Sequence, residues 1–467
     1  MSFTLVADTL PANPSILSFK VSVTSVVLTP SSGTAQTLTP ATPVVDLMRL
    51  QSDTAFLGTL SSVPSGSYTV KVAFSSPEIT FLNDTASAIT AGSATCASAS
   101  VCVFSLSASG SPTISSFTVN VTSSGQQGVG IDFNLNNAIS LSSGALSVNF
   151  NPSSPVLSAF TLPRSTANLG NNELDLIEDF TGVVSLNGSA VTLISPTRGT
   201  MTATTDSNTN FDPDPSGTLC PTGTSTLSAC VSANQIASMD AALNSDGTFS
   251  IREIEPLFST QQDVVEGIVF AINTTTQFSI AVTDKTQAAS NSLIGGLKTG
   301  DLLTVNLSST QPFFVDTKGL LVPAGSKGLF QGQTDTSAIH QGQAVAIHVT
   351  AFTAASGTTI ASATAGTVTL RWSRLTASLT GASQPAQINV NAVPSYFLIT
   401  PSSVFPTQVF TGTLGADGVT NLDGVTVASN LSSSPPVGPF VALRVLYLDN
   451  TTHSAPLPFM AAKIRQH

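Results

Sequence analysis

Apolar and polar residues alternate along many short stretches of the chain, which is typical of β-strands with one buried face. In the stretch SFKVSVTSVVL, one face carries Phe19, Val21 and Val23, and the other carries polar side chains. Similar runs follow at short intervals, separated by clusters of Pro, Gly and Ser. Many short strands with this spacing predict a β-sandwich.

Helical periodicity is nearly absent. The best candidates for short helices are ANQIASMDAAL and NELDLIEDF. Neither is long enough to change the fold class, so the sequence predicts an all-β protein.

A repeated pattern divides the second part of the chain. Three stretches place a Gly between apolar alternations: DFTGVVSLNGSAVTLI, VVEGIVFAINTTTQFSIAV and TAGTVTLRWSRLTASLT. A chain of 467 residues is too long for one hydrophobic core. Repetition of this kind predicts small modules with local cores. We therefore predict a β-sandwich domain at 1–165 and three small β-barrel-like (OB-like) repeats at 166–260, 261–358 and 359–467.

The first region resembles the N-terminal domain of a family of uncharacterised bacterial surface lipoproteins. The resemblance is carried by the opening TLVADTLPANPSILSFKVSVTSVVLTP, the strand VVDL, the turn PSGSYT and the later stretch GVGIDFNLNNAISL. It implies a transthyretin-like β-sandwich of unknown function, followed by small β-barrel repeats that are also of unknown function. It further implies an exported, surface-associated protein and no catalytic residues. The lipidated Cys that precedes the domain in that family does not occur in this sequence.

The composition limits the partners that we expect. Charged residues make up 9% of the chain, against roughly 25% in ordinary soluble domains. The formal net charge is −11, which does not favour binding to nucleic acid. The sequence also lacks an apolar run of the roughly 18 residues that a transmembrane helix needs. We expect neither nucleic acid nor a transmembrane segment.

The cysteines occur as two close pairs, Cys96 with Cys102 and Cys220 with Cys230. Such pairs in a Ser/Thr-rich chain predict two local disulfides formed in an oxidising compartment. A four-thiolate zinc site is the alternative, but neither pair has the C-x-x-C spacing. We therefore expect export to the cell surface or beyond.

One polar stretch, TATTDSNTNFDPDPSGTLC, is a candidate calcium loop, with Asp206, Asp212 and Asp214 as ligands. The alignment of the repeats places Asp206 opposite Asp335 and Pro401, and both residue types suit a turn that leaves a strand. The glycine that the helix-loop-helix calcium pattern requires is replaced by Phe. A turn is the favoured interpretation and calcium is the alternative; no other cofactor is expected.

No arrangement of residues points to an enzyme. A nucleophile elbow and a zinc-binding H-E-x-x-H pattern are both missing from the sequence. His348 is expected on the polar face of a strand, and the acidic stretch NELDLIEDF is interpreted as a linker or domain contact. Sugar-binding modules present aromatic side chains, so Trp372, beside Arg371 and Arg374, is the candidate ligand-binding residue.

Two functions from different classes remain. The first is a non-enzymatic structural or adhesive protein of the cell surface, which assembles with copies of itself as a pilus-like filament. Strand patterns at both ends, FTLVADT and LPFMAAKI, motivate assembly by strand addition. A monomer with both strands paired internally is the competing expectation. The second function is a surface-anchored module that binds polysaccharide or another extracellular ligand.

Overall fold

The structure is a computed structural model of the 467-residue chain. It describes residues 1–7, 15–40, 44–119, 127–162, 177–195, 198–244, 248–308, 310–318, 320–384, 387–391, 393–397, 407–410, 421–423, 441–451 and 458–466. The described residues are almost all in β-strands and the connections between them. The predicted all-β, multidomain fold is therefore confirmed.

The N-terminal domain contains fourteen strands. They are β1 (Ser2–Val6), β2 (Ile16–Pro30), β3 (Gln36–Leu38), β4 (Val44–Asp46), β5 (Ala55–Thr59), β6 (Gly66–Asn83), β7 (Ile89–Ala91), β8 (Ala94–Cys96), β9 (Ser100–Ser105), β10 (Thr113–Val119), β11 (Gly128–Phe133), β12 (Ile139–Ser142), β13 (Ala145–Val148) and β14 (Leu157–Leu162). One sheet has the order β14-β11-β1-β5, and a second has the order β10-β6-β2-β3, with β4 on β2 and β9 on β6. A small third sheet has the order β12-β13-β7-β8.

Aromatic contacts join the two large sheets into a sandwich. The ring of Phe133 lies 6.2 Å from that of Phe19 and 5.2 Å from that of Phe74. In β2, Phe19, Val21 and Val23 are fully buried, whereas Thr24 is exposed. The alternation in the sequence therefore predicts correctly which face of this strand packs against the core.

Three six-stranded barrels follow the sandwich. Barrel 1 contains β15 (Ile177–Asn187), β16 (Ala190–Ser195), β17 (Gly199–Thr204), β18 (Asn210–Phe211), β19 (Ile236–Leu243) and β20 (Phe249–Phe258). Barrel 2 contains β21 (Val264–Thr274), β22 (Gln277–Thr286), β23 (Leu302–Asn306), β24 (Phe313–Val315), β25 (Ala344–Thr353) and β26 (Ala361–Arg371). Barrel 3 contains β27 (Ser373–Gln384), β28 (Gln387–Asn391), β29 (Thr407–Phe410), β30 (Asn421–Asp423), β31 (Val441–Tyr447) and β32 (Phe459–Gln466).

All three barrels have the same topology. The first three strands form a meander, the fifth pairs with the first, and the sixth pairs with the fifth. A parallel pairing of the third strand with the sixth closes each barrel: β17 with β20, β23 with β26 and β29 with β32. A short fourth strand also pairs with the sixth in parallel. The five long strands thus connect as in a small OB-like barrel.

Glycine allows the first strand to approach the second closely in two of the barrels. A Cβ atom on Gly182 would lie 2.8 Å from the backbone of Ile194, and one on Gly267 would lie 2.5 Å from the carbonyl oxygen of Ala281. The repeated Gly that predicted the first two modules therefore has a steric cause. The third glycine of the pattern, Gly366, lies in β26 and has no such role at the start of a barrel.

The boundary between the last two barrels differs from the predicted one at residue 358. Strand β26 pairs with β23, β24 and β25, so it is the last strand of barrel 2. Barrel 3 begins at Ser373, and a single residue, Trp372, separates the two barrels. The sequence pattern continues through this connection without a break, because both strands alternate in the same way.

Helices are few and short among the described residues. They are α1 (Leu135–Ala138), α2 (Leu227–Cys230), α3 (Ala324–Lys327) and two 3₁₀ turns at Arg49–Gln51 and Thr336–Ala338. The predicted helix ANQIASMDAAL is wrong, since its second part forms β19. The described part of NELDLIEDF belongs to β15. Within the described ranges, no helix has the length and apolar character needed to cross a membrane.

Both terminal strands are paired on their two sides within the chain. β1 lies between β5 and β11, and β32 pairs with β29, β30 and β31. Strand addition through either one would require it to leave its own sheet.

Apolar contacts connect the four domains. Phe56 of the sandwich stacks edge-on against Phe249 of barrel 1, with ring centres 5.6 Å apart. Leu446 and Met460 of barrel 3 belong to the same buried cluster as the core of barrel 2. A smaller buried cluster joins barrels 1 and 2 through Ile236 and Val264. The domains therefore meet over continuous buried surfaces.

Candidate functional site

Charged side chains from all four domains meet in one buried network, which we call the hub. Its bases are Arg49, Arg198, Lys318, Arg371, Arg374 and Arg444, and its acids are Asp53, Asp179, Asp240, Glu253, Glu266, Asp284 and Asp316. The whole chain has 15 Lys and Arg residues, so a large share of its positive charge lies in this one place.

The sandwich contributes a compact turn to the hub. The carboxylate of Asp46 accepts hydrogen bonds from the backbone N–H groups of Phe19 (2.9 Å) and Met48 (3.0 Å), and so fixes the start of the turn. The 3₁₀ turn that follows places Arg49 and Asp53 four residues apart, with Nε 3.0 Å from Oδ2. Both side chains point away from the sandwich core towards the barrels, where Arg49 Nη1 lies 2.7 Å from Glu266 Oε2.

Barrel 1 places Asp179 at the centre of the hub through an irregularity in its first strand. The pairing of β15 with β19 shifts register between Ile177 and Phe180, and Asp179 has a φ of 49°. An irregularity of this kind redirects a side chain, and Asp tolerates the left-handed conformation better than most residues. The Asp179 carboxylate accepts a hydrogen bond from Ser238 Oγ (2.7 Å), and its backbone N–H donates to Asp240 Oδ1 (2.6 Å).

Barrel 2 supplies the only buried lysine of the hub. Lys318 lies in a turn after β24 with a φ of 42°, and its backbone N–H donates to Asp316 Oδ1 (3.1 Å). Its ammonium nitrogen lies 3.1 Å from Asp240, 3.4 Å from Glu253 and 3.5 Å from Asp179. Lys318 therefore binds barrel 2 to three carboxylates of barrel 1.

Barrel 3 closes the network with two arginines. Arg374, in its first strand, has Nε 2.8 Å from Asp53 Oδ2 of the sandwich, and its Nη2 also contacts Asp179 of barrel 1. Arg444, in β31, has Nη2 3.8 Å from Asp240 Oδ2 and its guanidinium 5.9 Å from the centre of the Trp372 ring. Arg371, the last residue of barrel 2, pairs with Asp316.

The charges of the hub keep two central acids ionised. Burial raises the pKa of Asp179, but Lys318, Arg374 and Arg371 outweigh it and hold that pKa well below its ordinary value. Burial also opposes ionisation of Glu266, but Arg49 and Arg371 lower the pKa of Glu266 to about 2. Neutralising either carboxylate would remove one of the counter-charges of these bases.

Two other buried carboxyls, Glu255 and Asp212, have raised pKa values. Burial, together with the neighbouring charge of Asp316, raises the pKa of Glu255 well above its ordinary value. Burial and the proximity of Glu253 likewise raise the pKa of Asp212. Six bases and seven ion-paired acids leave a formal charge of −1, so further negative charge at Glu255 and Asp212 is unfavourable here.

The geometry of the hub suits an interdomain lock. Beside Arg49, Trp372 and Arg374 there is a void of about 20 Å³. That space holds about one water molecule. Buried ion pairs contribute little net stability, but the loss of one partner is costly, so such a network fixes one arrangement of the domains.

The cysteines pair as predicted. Cys96 is joined to Cys102, and Cys220 to Cys230. The first disulfide links β8 to β9 in the sandwich, and the second joins the loop after β18 to α2 in barrel 1.

The three calcium candidates do not form one site. Asp206 accepts a hydrogen bond from the backbone N–H of Asn208 (2.7 Å) in an exposed turn. Asp214 is buried and organises the next loop, accepting from the N–H groups of Leu219 (2.6 Å) and Cys220 (3.1 Å). Asp212 faces Glu253 at the edge of the hub. Within the described residues, no group of three or more His, Cys, Asp or Glu side chains could hold a metal ion.

The alignment of Asp206 with Asp335 is wrong, although both residues stabilise turns. Asp206 follows the third strand of barrel 1, whereas Asp335 follows the fourth strand of barrel 2, where it accepts from the N–H of Ser337 (2.8 Å). Pro401 lies outside the described residues. The residues at equivalent positions are Asp212 and Asp316, which directly follow the fourth strands and donate their N–H groups to Ile254 and Leu370 of the sixth strands.

Trp372 is fully buried, so it does not present the exposed aromatic surface expected for sugar binding. It is the single residue between β26 of barrel 2 and β27 of barrel 3. His348 is half-buried in β25, and His340 is buried, with Nε2 3.0 Å from the carbonyl oxygen of Asp449. Neither histidine belongs to the hub.

A second candidate site is a cleft of about 480 Å³ between the sandwich and barrel 2. Three lysines line it, Lys20, Lys285 and Lys298, and one acidic residue, Glu78. A volume of this size lies within the range of small-ligand sites.

The sequence reasoning missed most of the hub. Arg444 stands within FVALRVLYL, and Arg371 and Arg374 stand within TVTLRWSRL. Single charges inside apolar strands are costly unless they are paired, and this was the signal available in the sequence. The pairing partners lie in other domains, so no local pattern identifies them.

No family model, curated protein or solved structure matches the chain. The resemblance to bacterial surface lipoproteins therefore rests on the sequence motifs alone.

Proposed function

We propose that the chain is a non-enzymatic structural or adhesive protein of the extracellular surface. The observation that carries this proposal is the hub, in which the charged side chains tie four domains into one body. A rigid assembly of small β-domains suits a protein that transmits or resists force between a surface and its surroundings. The two disulfides are compatible with an exported protein.

The polar, weakly charged composition also supports this role. Of the chain, 9% is charged, and much of that charge lies in the hub, so the exterior relies on Ser, Thr, Asn and Gln. Such a surface carries few groups that repel a second copy. We therefore include assembly into filaments in the proposal, through the faces of the domains or through exchange of a terminal strand.

Surface exposure and assembly are tested separately. Protease treatment of intact cells, followed by detection of the chain, should remove it, whereas protection until the cells are lysed would contradict an extracellular position. Light scattering of the purified chain over a wide concentration range, with negative-stain microscopy, tests assembly. A constant monomeric mass and no filaments would remove self-assembly from the proposal.

The cleft between the sandwich and barrel 2 supports a second candidate function, the binding of an extracellular polysaccharide. Three of its lining residues are lysines, in a chain with a net charge of −11.

A further inference from the structure

The sandwich wall of the cleft contains a distorted strand. Lys20 of β2 is paired with Glu78 of β6, but the register shifts between Lys20 and Ser22, which faces Ser75. The extra residues of β6 include Ser76, which has a φ of 51° and is exposed in the cleft. An irregularity of this kind bends the strand and opens the sheet at that point, and such features often lie beside binding sites.

The barrel wall is the loop between β22 and β23. Lys285 shapes this loop, because its ammonium donates to the carbonyl oxygens of Ile294 (3.3 Å), Gly295 (3.5 Å) and Leu297 (2.5 Å). The loop is tied to the sandwich by Thr80 Oγ1, which donates to the carbonyl oxygen of Gly300 (2.7 Å). The cleft is therefore built by contacts between two domains.

The three ammonium groups have different roles. Lys20 donates to Glu78 (2.5 Å) and to the carbonyl oxygen of Thr299 (2.9 Å), so it is held in place. Lys285 uses its donors on the loop. Lys298 is exposed, and among the described residues its ammonium has no hydrogen-bond or ion-pair partner. The ammonium of Lys298 is thus available to a ligand. Two further positive charges, on Lys20 and Lys285, are held in place beside it, and Glu78 adds one negative charge.

We propose that this cleft binds an acidic oligosaccharide, with a sugar carboxylate on the ammonium of Lys298. The proposal rests on the second candidate function and gives it a site. Half-buried apolar side chains such as Val44 and Leu106 can contact the C–H face of a sugar ring, and the hydroxyls of Ser22 and Ser105 can bond to its hydroxyls. A compact anion such as phosphate would use the charge but little of the 480 Å³ volume.

Calorimetric titration of the purified full chain tests this assignment. The probes are a tetramer of galacturonic acid, a neutral tetramer of galactose and inorganic phosphate, all at low ionic strength. The variant Lys298→Gln removes the available charge without breaking a contact, Lys298→Arg restores the charge, and Lys71→Gln is the matched control. Lys71 is exposed in the same strand as Glu78 but does not line the cleft.

The acidic tetramer should bind, and Lys298→Gln should weaken it by about fivefold, as expected for one exposed ion pair. Lys298→Arg and Lys71→Gln should bind as the natural chain does, and added salt should weaken binding. The assignment is overturned if the acidic tetramer fails to bind at about 10 mM, if the neutral tetramer binds equally, or if Lys71→Gln weakens binding as much as Lys298→Gln. Equal binding of phosphate would overturn the saccharide assignment. Because the titration uses purified protein, a failure here leaves the tests of surface exposure and assembly unaffected.

Discussion

The side chain of Arg374 joins the third barrel to the sandwich, with its Nε 2.8 Å from Asp53 Oδ2. The same guanidinium contacts Asp179 of the first barrel. One side chain thus contacts carboxylates of two other domains, and both carboxylates lose one of their counter-charges if it is removed.

The first prediction concerns this arginine. Arg374→Met should destabilise the chain by about 3–5 kcal/mol, because it removes a counter-charge from two fully buried carboxylates, Asp53 and Asp179. The matched control is Arg252→Met, which removes a partly exposed pair with Asp206 and should cost at most about 1 kcal/mol. Urea unfolding followed by the fluorescence of the single Trp, Trp372, measures both. Similar losses for the two variants would contradict a special role for the hub.

The second prediction concerns the dependence of stability on pH, and it uses the same substitution, Glu to Gln, at positions 266 and 255. The pKa of Glu266 is about 2 in the folded chain, below its unfolded value. The ionised carboxylate therefore stabilises the fold fully above about pH 4.5, and this stabilisation is lost as the pH falls towards 2. The pKa of Glu255 is raised in the folded chain. Its protonated form therefore stabilises the fold fully at low pH, and this stabilisation is lost as the pH rises through the folded pKa.

Glu266→Gln should therefore destabilise the chain at neutral pH and reduce the loss of stability in acid. Glu255→Gln should stabilise it at alkaline pH, because an amide has no proton to lose. Melting temperatures measured from acid to alkaline pH distinguish these outcomes. If both variants changed stability in the same direction at every pH, the assignment of the two carboxyls would be wrong.

The third prediction concerns the disulfides. A non-reduced digest should contain the Cys96–Cys102 and Cys220–Cys230 peptides and no cross-paired product. Replacing either pair with Ser should cost about 2–3 kcal/mol, given loops of 6 and 10 residues. Mass spectrometry and urea unfolding provide the two measurements, and free thiols in the exported chain would contradict the pairing.

The fourth prediction concerns the two turn aspartates. Asp206→Ala and Asp335→Ala should each cost about 1 kcal/mol, since each removes a hydrogen bond to a turn N–H, and the partly exposed pair of Asp206 with Arg252 adds little. The cost should be the same with calcium and with a chelator. A melting temperature that falls sharply on chelation alone, and no longer does so in Asp212→Ala, would restore the calcium interpretation.

The strands and the repeat could be predicted because their causes are local. Alternation in β2 follows from one buried face, and Gly182 and Gly267 follow from close strand contact within each barrel. The helix predicted for ANQIASMDAAL is wrong because small residues obscure the alternation of β19, and pairing with β15 and β20 determines its structure.

The hub could not be predicted because its partners are distant in sequence. Asp212 and Asp316 are equivalent by strand pairing, yet the letters around them differ, and the visible similarity led to Asp206 and Asp335 instead. Asp179 lies in an acidic stretch that the sequence predicts to be a linker or domain contact, but no neighbouring residue indicates that Lys318 and Arg374 are its partners. Contacts between domains are set by the assembled surfaces, which a single sequence does not display.

Arg444 lies in β31 of barrel 3, which follows the other three domains in the sequence, and this position affects the order in which the domains dock. Domains generally fold as they are synthesised, from the N-terminus onward. The sandwich and the first two barrels precede β31 in the sequence, so Asp53, Asp179 and Asp240 meet Arg374 and Arg444 only when barrel 3 docks. The final docking of the four domains is thus a late step, and a chain interrupted before residue 441 would lack Arg444, so that Asp240 of barrel 1 would lose one of its counter-charges.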